Sequence, residues 1–242
     1  MTNLRKMVNM SLPLISVLMP AYNAEKYIKD ALNSIVATQY PNLEIIVVND
    51  GSTDNTAEII ENYPFPIRLY HQDNQGIPIT RNRTLDLMTG DIFTFLDADD
   101  LWTAYKLKVQ LPLLHDADVV LGQSRMIINQ DSWLSLYLST GVYHRSVLDV
   151  VGKFAEDLPI GEDSDWLYRA WEANLRIIHH NNVVHVYRRH TDNITMDVPA
   201  VNRNHLRILK RSLDRRRNSG NPKSGRFNSN FVETLSDEEL EK

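Results

Sequence analysis

Three carboxylates fall within four residues in Phe95-Leu96-Asp97-Ala98-Asp99-Asp100, where an apolar run (Ile92, Phe93, Phe95, Leu96) reads as a short buried strand leaving the core. Carboxylates that close repel one another. They stay ionised together only beside a cation, and a hard divalent ion is the usual one. The carboxyl end of an α/β strand is also where ligands bind. The plainer alternative is a solvated strand-to-helix turn, with one Asp capping a helix that starts near Thr103.

Two further polar stretches end apolar runs: Pro20-Ala21-Tyr22-Asn23 and Asn49-Asp50-Gly51-Ser52. Parallel strands would set all three stretches along one edge of a sheet. An aromatic ring, a carboxylate and an acidic metal site along that edge suit a nucleotide diphosphate. Tyr22 can stack on a base, Asp50 can accept a hydrogen bond from a base N–H, and a metal can bridge the phosphates. The sequence holds neither a Walker A loop nor a Gly-x-Gly-x-x-Gly run, so no Gly-rich cradle is available and a metal has to take that task.

The elements that must position these residues alternate in type. Leu14 to Met19 is a strand stopped by Pro20, and Asn23 caps a helix with Ala24, Tyr27, Ile28, Ala31, Leu32 and Ile35 on one face. Leu43 to Val48, apolar apart from Glu44, suits a parallel strand covered on both faces. A helix through Ala57, Ile59 and Ile60, a strand Ile67 to Tyr70, and a helix Ile79 to Met88 closed by Gly90 follow. This β-α-β-α-β-α-β order predicts a mostly parallel sheet with right-handed crossovers. The second half is less regular: a helix over Lys106 to Leu114, a strand Val119 to Leu121, extended chain over 133–143, a helix Ser146 to Val151, a strong helix Asp163 to Asn174, and a strand Val183 to Tyr187.

Composition bounds the class. The chain has 242 residues, 43% hydrophobic and 24% charged, ordinary for a globular protein with a sizeable core. Cys is absent, which excludes disulfides and thiolate metal sites and fits a reducing compartment. No apolar run reaches the roughly 18 residues of a membrane span, and no secretory h-region opens the chain. The expected location is cytoplasmic. The net charge of −5 is uneven: residues 203–217 carry seven Arg or Lys against Asp214, a local +6, and leave −11 on the rest. No nucleic-acid partner is expected.

The motifs together resemble the family 2 glycosyltransferases of the GT-A fold. The resemblance rests on Ile15-Ser16-Val17 to Tyr22-Asn23, Val48-Asn49-Asp50-Gly51-Ser52-Thr53-Asp54, Gln75-Gly76 with Arg81-Asn82, the Phe95 to Asp100 block and Gly161-Glu162-Asp163, in that order over about residues 13–195. It implies a single α/β domain with a Rossmann-like, mixed but mostly parallel sheet flanked by helices. It implies transfer of a sugar from a nucleotide diphosphate donor, commonly UDP-linked, to an acceptor hydroxyl, usually with inversion and with Mn²⁺ or Mg²⁺. Pro20, Ala21, Tyr22, Asn23, Asp50, Arg81, Asp97 and Ala98 would then bind the nucleotide sugar, with Tyr22 and Asp50 on the base. Asp99 and His190 would hold the metal, Glu162 the acceptor, and Asp163 would be the base. Thr84 stands where the family usually has Gly.

Plainer readings accompany these. Arg81, near the start of a helix, also fits an ion-paired group, and Glu162 and Asp163 suit any helix N-terminus. His190 also fits a hydrogen-bonded surface residue. Arg188 or Arg189 could serve a leaving phosphate, and Trp133, Tyr137, Tyr143 and His144 could contact an acceptor or belong to the core.

The expected organisation is a leader over 1–12, a catalytic domain over 13–198, a basic helix over 199–217 and a disordered tail over 218–242. Leu206, Leu209 and Leu213 give that helix an apolar face, which would dock either on the domain or on anionic lipid at the inner face of a membrane. The acceptor is a glycan, lipid-linked group or protein. Two rival functions are a haloacid dehalogenase-type phosphatase with Asp97 as nucleophile, and a nucleotide-sugar-binding protein without catalysis.

Overall fold

A computed structural model describes residues 12–126, 132–134, 137–191, 193–218 and 230–232, with backbone alone for 132–134 and 230–232. The expected leader and tail therefore lie outside the described residues, apart from Leu12, Asn218 and three residues that form a strand, Asn230–Val232.

The first half alternates as its periodicity requires: β1 (Ile15–Ala21), α1 (Ile28–Val36), β2 (Leu43–Asp50), α2 (Thr56–Glu61), β3 (Ile67–Gln72), α3 (Ile77–Leu87) and β4 (Ile92–Phe95). β1 lies between β2 and β4, parallel to both, and β3 extends the sheet beyond β2. Every residue of β1 is buried because both faces of the sheet are covered. Val17, Met19, Ile45 and Val47 pack with Ile28, Leu32 and Ile35 of α1, whereas Leu18, Ile46, Phe93 and Phe95 point to the opposite core.

The second half adds β5 (Leu101–Trp102), α4 (Lys106–Leu113), β6 (Val119–Met126), β7 (Ser132–Leu134), β8 (Gly141–His144), α5 (Val147–Val151), α6 (Glu162–Glu172), β9 (Ile177–Tyr187), α7 (Val198–Asn218) and β10 (Asn230–Val232). The main strand order is β10-β9-β6-β8-β4-β1-β2-β3, with β5 on β9 and β7 on β6. β8 runs antiparallel to β4 and β6 and makes the otherwise mostly parallel sheet mixed. On the α6 side, Tyr143 stacks on Phe93 at 5.1 Å, and Trp166 meets Tyr143 edge-on at 5.5 Å. The Trp166 indole donates to Gly152 O at 2.8 Å, so α6 is fixed to the core by its own apolar face.

Several sequence expectations need correction. Pro20 does not stop β1; it pairs with Val48, and Ala21 pairs with Asn49. Pairing with β4 has ended at Leu18, so β1 has lost one neighbour and tolerates a residue without an N–H. Asn23 does not cap α1, which begins after Tyr27; it sits at φ +47° and ties two loops instead. Gly90 is required by close approach rather than by helix termination, since a Cβ there would lie 2.5 Å from Leu14 O. No Asp caps a helix after β4. The chain enters the unforeseen strand β5, and α4 starts after Tyr105. β9 begins at Ile177, six residues before the expected start.

Candidate active site

A cleft of about 830 Å³ opens at the carboxyl ends of β1, β2 and β4, facing the start of α6 and the end of β9. Pro20, Ala21, Tyr22, Asn23, Asp50, Arg81, Asp97, Ala98, Asp99, Glu162, Asp163 and His190 all line it. Twelve residues chosen across 171 positions of sequence thus share one concavity. Their geometry divides them into three groups.

The first wall is made of loops held by side chains on backbone N–H groups. Asn23 Oδ1 accepts from Thr53 N at 2.8 Å, and Asn23 N donates to Ser52 Oγ at 3.0 Å. Asp50 is buried and accepts from Gln75 N and Gly76 N, both at 2.9 Å, and from Gln72 Nε2 at 2.6 Å. Its first duty is therefore to hold the 74–76 loop against the end of β2, with acceptor capacity left over for a ligand N–H. Gly51, at φ +72°, lets that loop approach, since a Cβ would stand 2.8 Å from Asn74 N. Tyr22 is exposed at the rim.

The second group is the acidic block, and the protein neutralises most of it internally. Asp97 accepts from Arg81 at 2.7 Å, and the same guanidinium pairs with Glu162. Arg81 lines the cleft but is buried and clamps two acids, which is the ion-paired arrangement of the plainer reading. Burial would lower its pKa, but Asp97 and Glu162 outweigh that and raise it. Asp100 is buried, accepting from His185 Nε2 at 3.0 Å and Arg188 N at 2.8 Å. His185 Nδ1 takes Ser124 Oγ at 2.8 Å; Ser124 is fully buried and does not line the cleft, whereas Asp100 and His185 do, so this Ser-His-Asp chain braces β6 and β9 behind the cleft wall with no serine exposed to act as nucleophile.

Asp99 is matched by a histidine and an asparagine at the cleft wall, not by an arginine. Its partners are His190 Nε2 at 3.0 Å and Asn193 Nδ2 at 3.1 Å. Burial first, then Asp100 and Asp97, pushes its pKa up to about 6 against the opposing pull of His190. His190 is held flat by stacking on Tyr27 at 4.6 Å. Arg188 donates to Tyr27 O and Asp99 O and pairs with Asp30, so it is a strut and unavailable to a leaving phosphate.

The third group opens α6. Gly161 sits at φ +83° just before the helix, where it can turn Glu162 and Asp163 into the cleft. Glu162 is bound to Arg81. The side chain of Asp163 accepts from Ser164 N at 2.6 Å and is half-buried. Burial raises its pKa, opposed by Arg81, so burial outweighs the helix terminus, which favours the ionised form. For Glu162 burial likewise pushes the pKa up to about 7, with Arg81 opposing. We take Glu162 as ionised, because its partner stays charged.

Residues 16–152 match the family described as glycosyl transferase family 2. The chain belongs to that family. Among curated relatives of the family 2 chain, an uncharacterised glycosyltransferase of Rickettsia felis is 31% identical over 202 residues, covering 71% of this chain and 33% of the relative. Glycosyltransferase GlyA of Streptococcus pneumoniae is 34% identical over 150 residues, 58% of this chain and 21% of GlyA. The chain thus spans a third or less of the length of these two relatives. Among solved structures, residues 1–349 of S. aureus TarS in complex with UDP-GlcNAc align with a TM-score of 0.67 at 25% identity, over 76% of this chain and 61% of that one. The mannosyltransferase PcManGT of Pyrobaculum calidifontis, in complex with GDP-Man and Mn²⁺, shares the fold with a TM-score of 0.69 at 21% identity, over 85% of this chain and 65% of that one.

The family 2 domain tolerates Thr84 in place of the usual Gly because its hydroxyl donates to Arg81 O within α3 at 2.7 Å. Of the residues suggested for the acceptor, Tyr143 is core and His144 donates to Leu114 O, so neither reaches the cleft. Tyr137 does line it, stacked on Tyr187 at 5.8 Å, and the side chain of Trp133 lies outside the described residues. Sequence reasoning missed Asn193 and Tyr27 as partners of Asp99 and His190. Tyr27 looked like one more apolar position of α1, and Asn193 carried no signal beyond its nearness to His190. The phosphatase alternative has no support from the family match, and Asp97, its proposed nucleophile, is tied to Arg81.

Proposed function

We propose that this cleft transfers a sugar from a nucleotide diphosphate donor, a UDP-sugar by preference, to an acceptor hydroxyl with inversion of the anomeric centre. The observation that carries the reading is the contrast among the acids. Asp97, Asp99, Asp100 and Glu162 are each matched by an Arg or a His, while Asp163 faces the cleft and, among the described residues, has Ser164 N as its one hydrogen-bond partner. A carboxylate with a raised pKa and no fixed counter-ion is the group equipped to take a proton. Asp163 would remove the acceptor hydroxyl proton as the oxygen forms its bond to the anomeric carbon. The bond from that carbon to the diphosphate breaks on the opposite face, and the nucleoside diphosphate leaves with the electron pair.

A divalent cation fits the donor set in part. Among the described residues no group of three or more His, Asp or Glu side chains is arranged to hold one. Asp99 Oδ2 and His190 Nε2 converge at 3.0 Å in the cleft, and Asn193 steadies both. The carboxylate oxygen suits Mn²⁺ or Mg²⁺, and the imidazole nitrogen favours Mn²⁺ over the harder Mg²⁺; the rest of the shell would come from substrate phosphates and water. When bound, such an ion neutralises the diphosphate and improves it as a leaving group. The chain's own part is to fix Asp99 and His190 through Asn193 and Tyr27, and to keep Asp97 and Glu162 oriented through Arg81. UDP bound to the TarS fragment supports the donor class.

The test is the stereochemistry of the product, read by NMR with UDP-sugars and Mn²⁺. The reading expects the opposite anomer from the donor, and loss of Mn²⁺-dependent donor binding in Asp99→Ala with the fold intact. A retained anomer would overturn it. Tight UDP binding with no turnover on any acceptor would instead favour a binding protein.

A further inference from the structure

The C-terminal helix α7 is docked by a face that the sequence did not suggest. Ile208 is fully buried and stands so close to Gly161 that a Cβ there would lie 2.7 Å from it. Arg215 pairs with Asp165 at 2.9 Å and Glu172 at 2.6 Å, Arg207 and Arg211 pair with Asp157, and Arg216 lies over the Trp171 ring at 5.7 Å. These contacts brace the helix that carries Asp163. Leu206, Leu209 and Leu213, the expected docking face, are turned outward and are 70%, 47% and 46% exposed.

That outward face is not apolar alone. At about 100° per residue, Arg203, Lys210 and Arg217 fall beside the three leucines, and none of these cations has an ion pair among the described residues. The basic residues of α7 are therefore sorted, with the paired ones toward the domain and the free ones beside the leucines. Asp214 is the one acid between 203 and 217. The apolar exposure also extends upstream of the leucines. Ile194, at the cleft rim, and Met196 are exposed before α7, and Val198 is exposed at its first residue. Six of the nine large exposed apolar side chains among the described residues fall between 194 and 213.

We propose that residues 194–217 form a docking surface for an anionic lipid bilayer, with the leucines in the headgroup–acyl boundary and Arg203, Lys210 and Arg217 on the anionic headgroups. A helix with leucines on one side and basic residues flanking them has the character of an interfacial helix. A second copy of the chain is disfavoured as occupant, because apposed faces would bring three unpaired cations against three. The surface begins at the rim of the cleft, so docking sets the cleft mouth at the level of the headgroups. If the sugar-transfer reading also holds, the acceptor class is a lipid-linked one; that clause alone rests on it.

The experiment is co-sedimentation of the full chain with vesicles of phosphatidylcholine containing about 30% phosphatidylglycerol, against pure phosphatidylcholine, from about 50 to about 500 mM salt. Binding is expected to the anionic vesicles and to fall as salt rises. The Arg203→Gln/Lys210→Gln/Arg217→Gln variant should bind on the order of 100-fold more weakly, since each basic residue near such a surface is worth about fivefold. Leu206→Ser/Leu209→Ser/Leu213→Ser should lose at least about tenfold, with the cooperative thermal transition kept and its midpoint lowered by only a few degrees, since these side chains are about half or more exposed. No binding at low salt would overturn the proposal, as it would if residues 219–242 already covered this face. Undiminished binding by the leucine variant would overturn it too, as would concentration-dependent self-association without lipid binding. Vesicle binding needs no turnover and donor binding needs no vesicle, so failure of either reading shows separately.

Discussion

The two halves of the sheet solve the same problem by different means. Around the ends of β1 and β2, polar side chains mostly hold backbone: Asn23 holds Thr53, Asp50 holds Gln75 and Gly76, and Glu44 takes the N–H groups of Thr89 and Gly90 beside its side-chain contacts with Ser16 and Arg68. Around β9 and α6, titratable side chains hold one another across long separations: Arg81 with Glu162, Asp100 with His185, Asp99 with His190. Backbone-directed hydrogen bonds shape loops that a ligand can enter. Contacts between side chains instead fix which carboxylates are paired and which stay free. On the proposed reading the chemistry belongs to the second set, and the donor-side shape to the first.

Breaking the second set should cost most. Arg81→Met strands Glu162 and leaves Asp97 without its cation, so unfolding stability in urea should fall by about 3–5 kcal/mol. Arg81→Met with Glu162→Leu should recover part of that, because the buried unpaired carboxylate is gone. A single-variant loss below about 1 kcal/mol would mean the cluster is wet and the contrast between halves is false.

Acid should separate the halves next. Burial first, then Lys106 and His179, hold the His180 pKa down at about 3, far below the unfolded value. Between about pH 6.5 and 3 the unfolded chain therefore binds a proton that the folded chain does not. Stability is full above that window and is lost as pH falls through it, by on the order of 3 kcal/mol at pH 4. In the first half, burial would raise the Glu44 pKa, but hydrogen bonds from Ser16, Thr89 and Arg68 outweigh it and hold it low. Its contribution is present above the ordinary Glu range and lost only below it. Hydrogen exchange at falling pH should thus open β9 before β2, and His180→Leu should flatten the acid arm of the stability curve. Simultaneous opening, or an unchanged slope in the variant, would contradict this.

The same contrast explains what could be read in advance. The first half follows from hydrophobic period: β2 is a near-continuous apolar run, and α1 carries Ile28, Ala31, Leu32 and Ile35 at helical spacing. The family motifs fall on the ends of these elements, so the residues lining the cleft were legible together. Partnership was not. Nothing local says that Arg81 is tied to Glu162, 81 positions away, or that Arg188 spans Tyr27 and Asp30. β5 is two residues long and exists because β9 offers it an edge, which no window of sequence reports. In α7 the leucine spacing leaves two directions open, onto the domain or away from it, and the structure turns the leucines outward. Ile208 and the Arg-to-acid pairs of the domain surface, rather than the apolar face, decide the docking.

Unlike Asp97, Asp99, Asp100 and Glu162, Asp163 has no Arg or His partner among the described residues, and its proposed role is that of the base. The most direct test measures Asp163→Asn twice, for donor affinity by calorimetry with a UDP-sugar and Mn²⁺, and for turnover with acceptor. Because the substitution keeps the side chain's shape and leaves Arg81, Asp97 and Asp99 in place, donor affinity should hold within about twofold, while turnover falls by on the order of 10²-fold or more. Near-normal turnover, or loss of donor affinity equal to the loss of rate, would contradict the account.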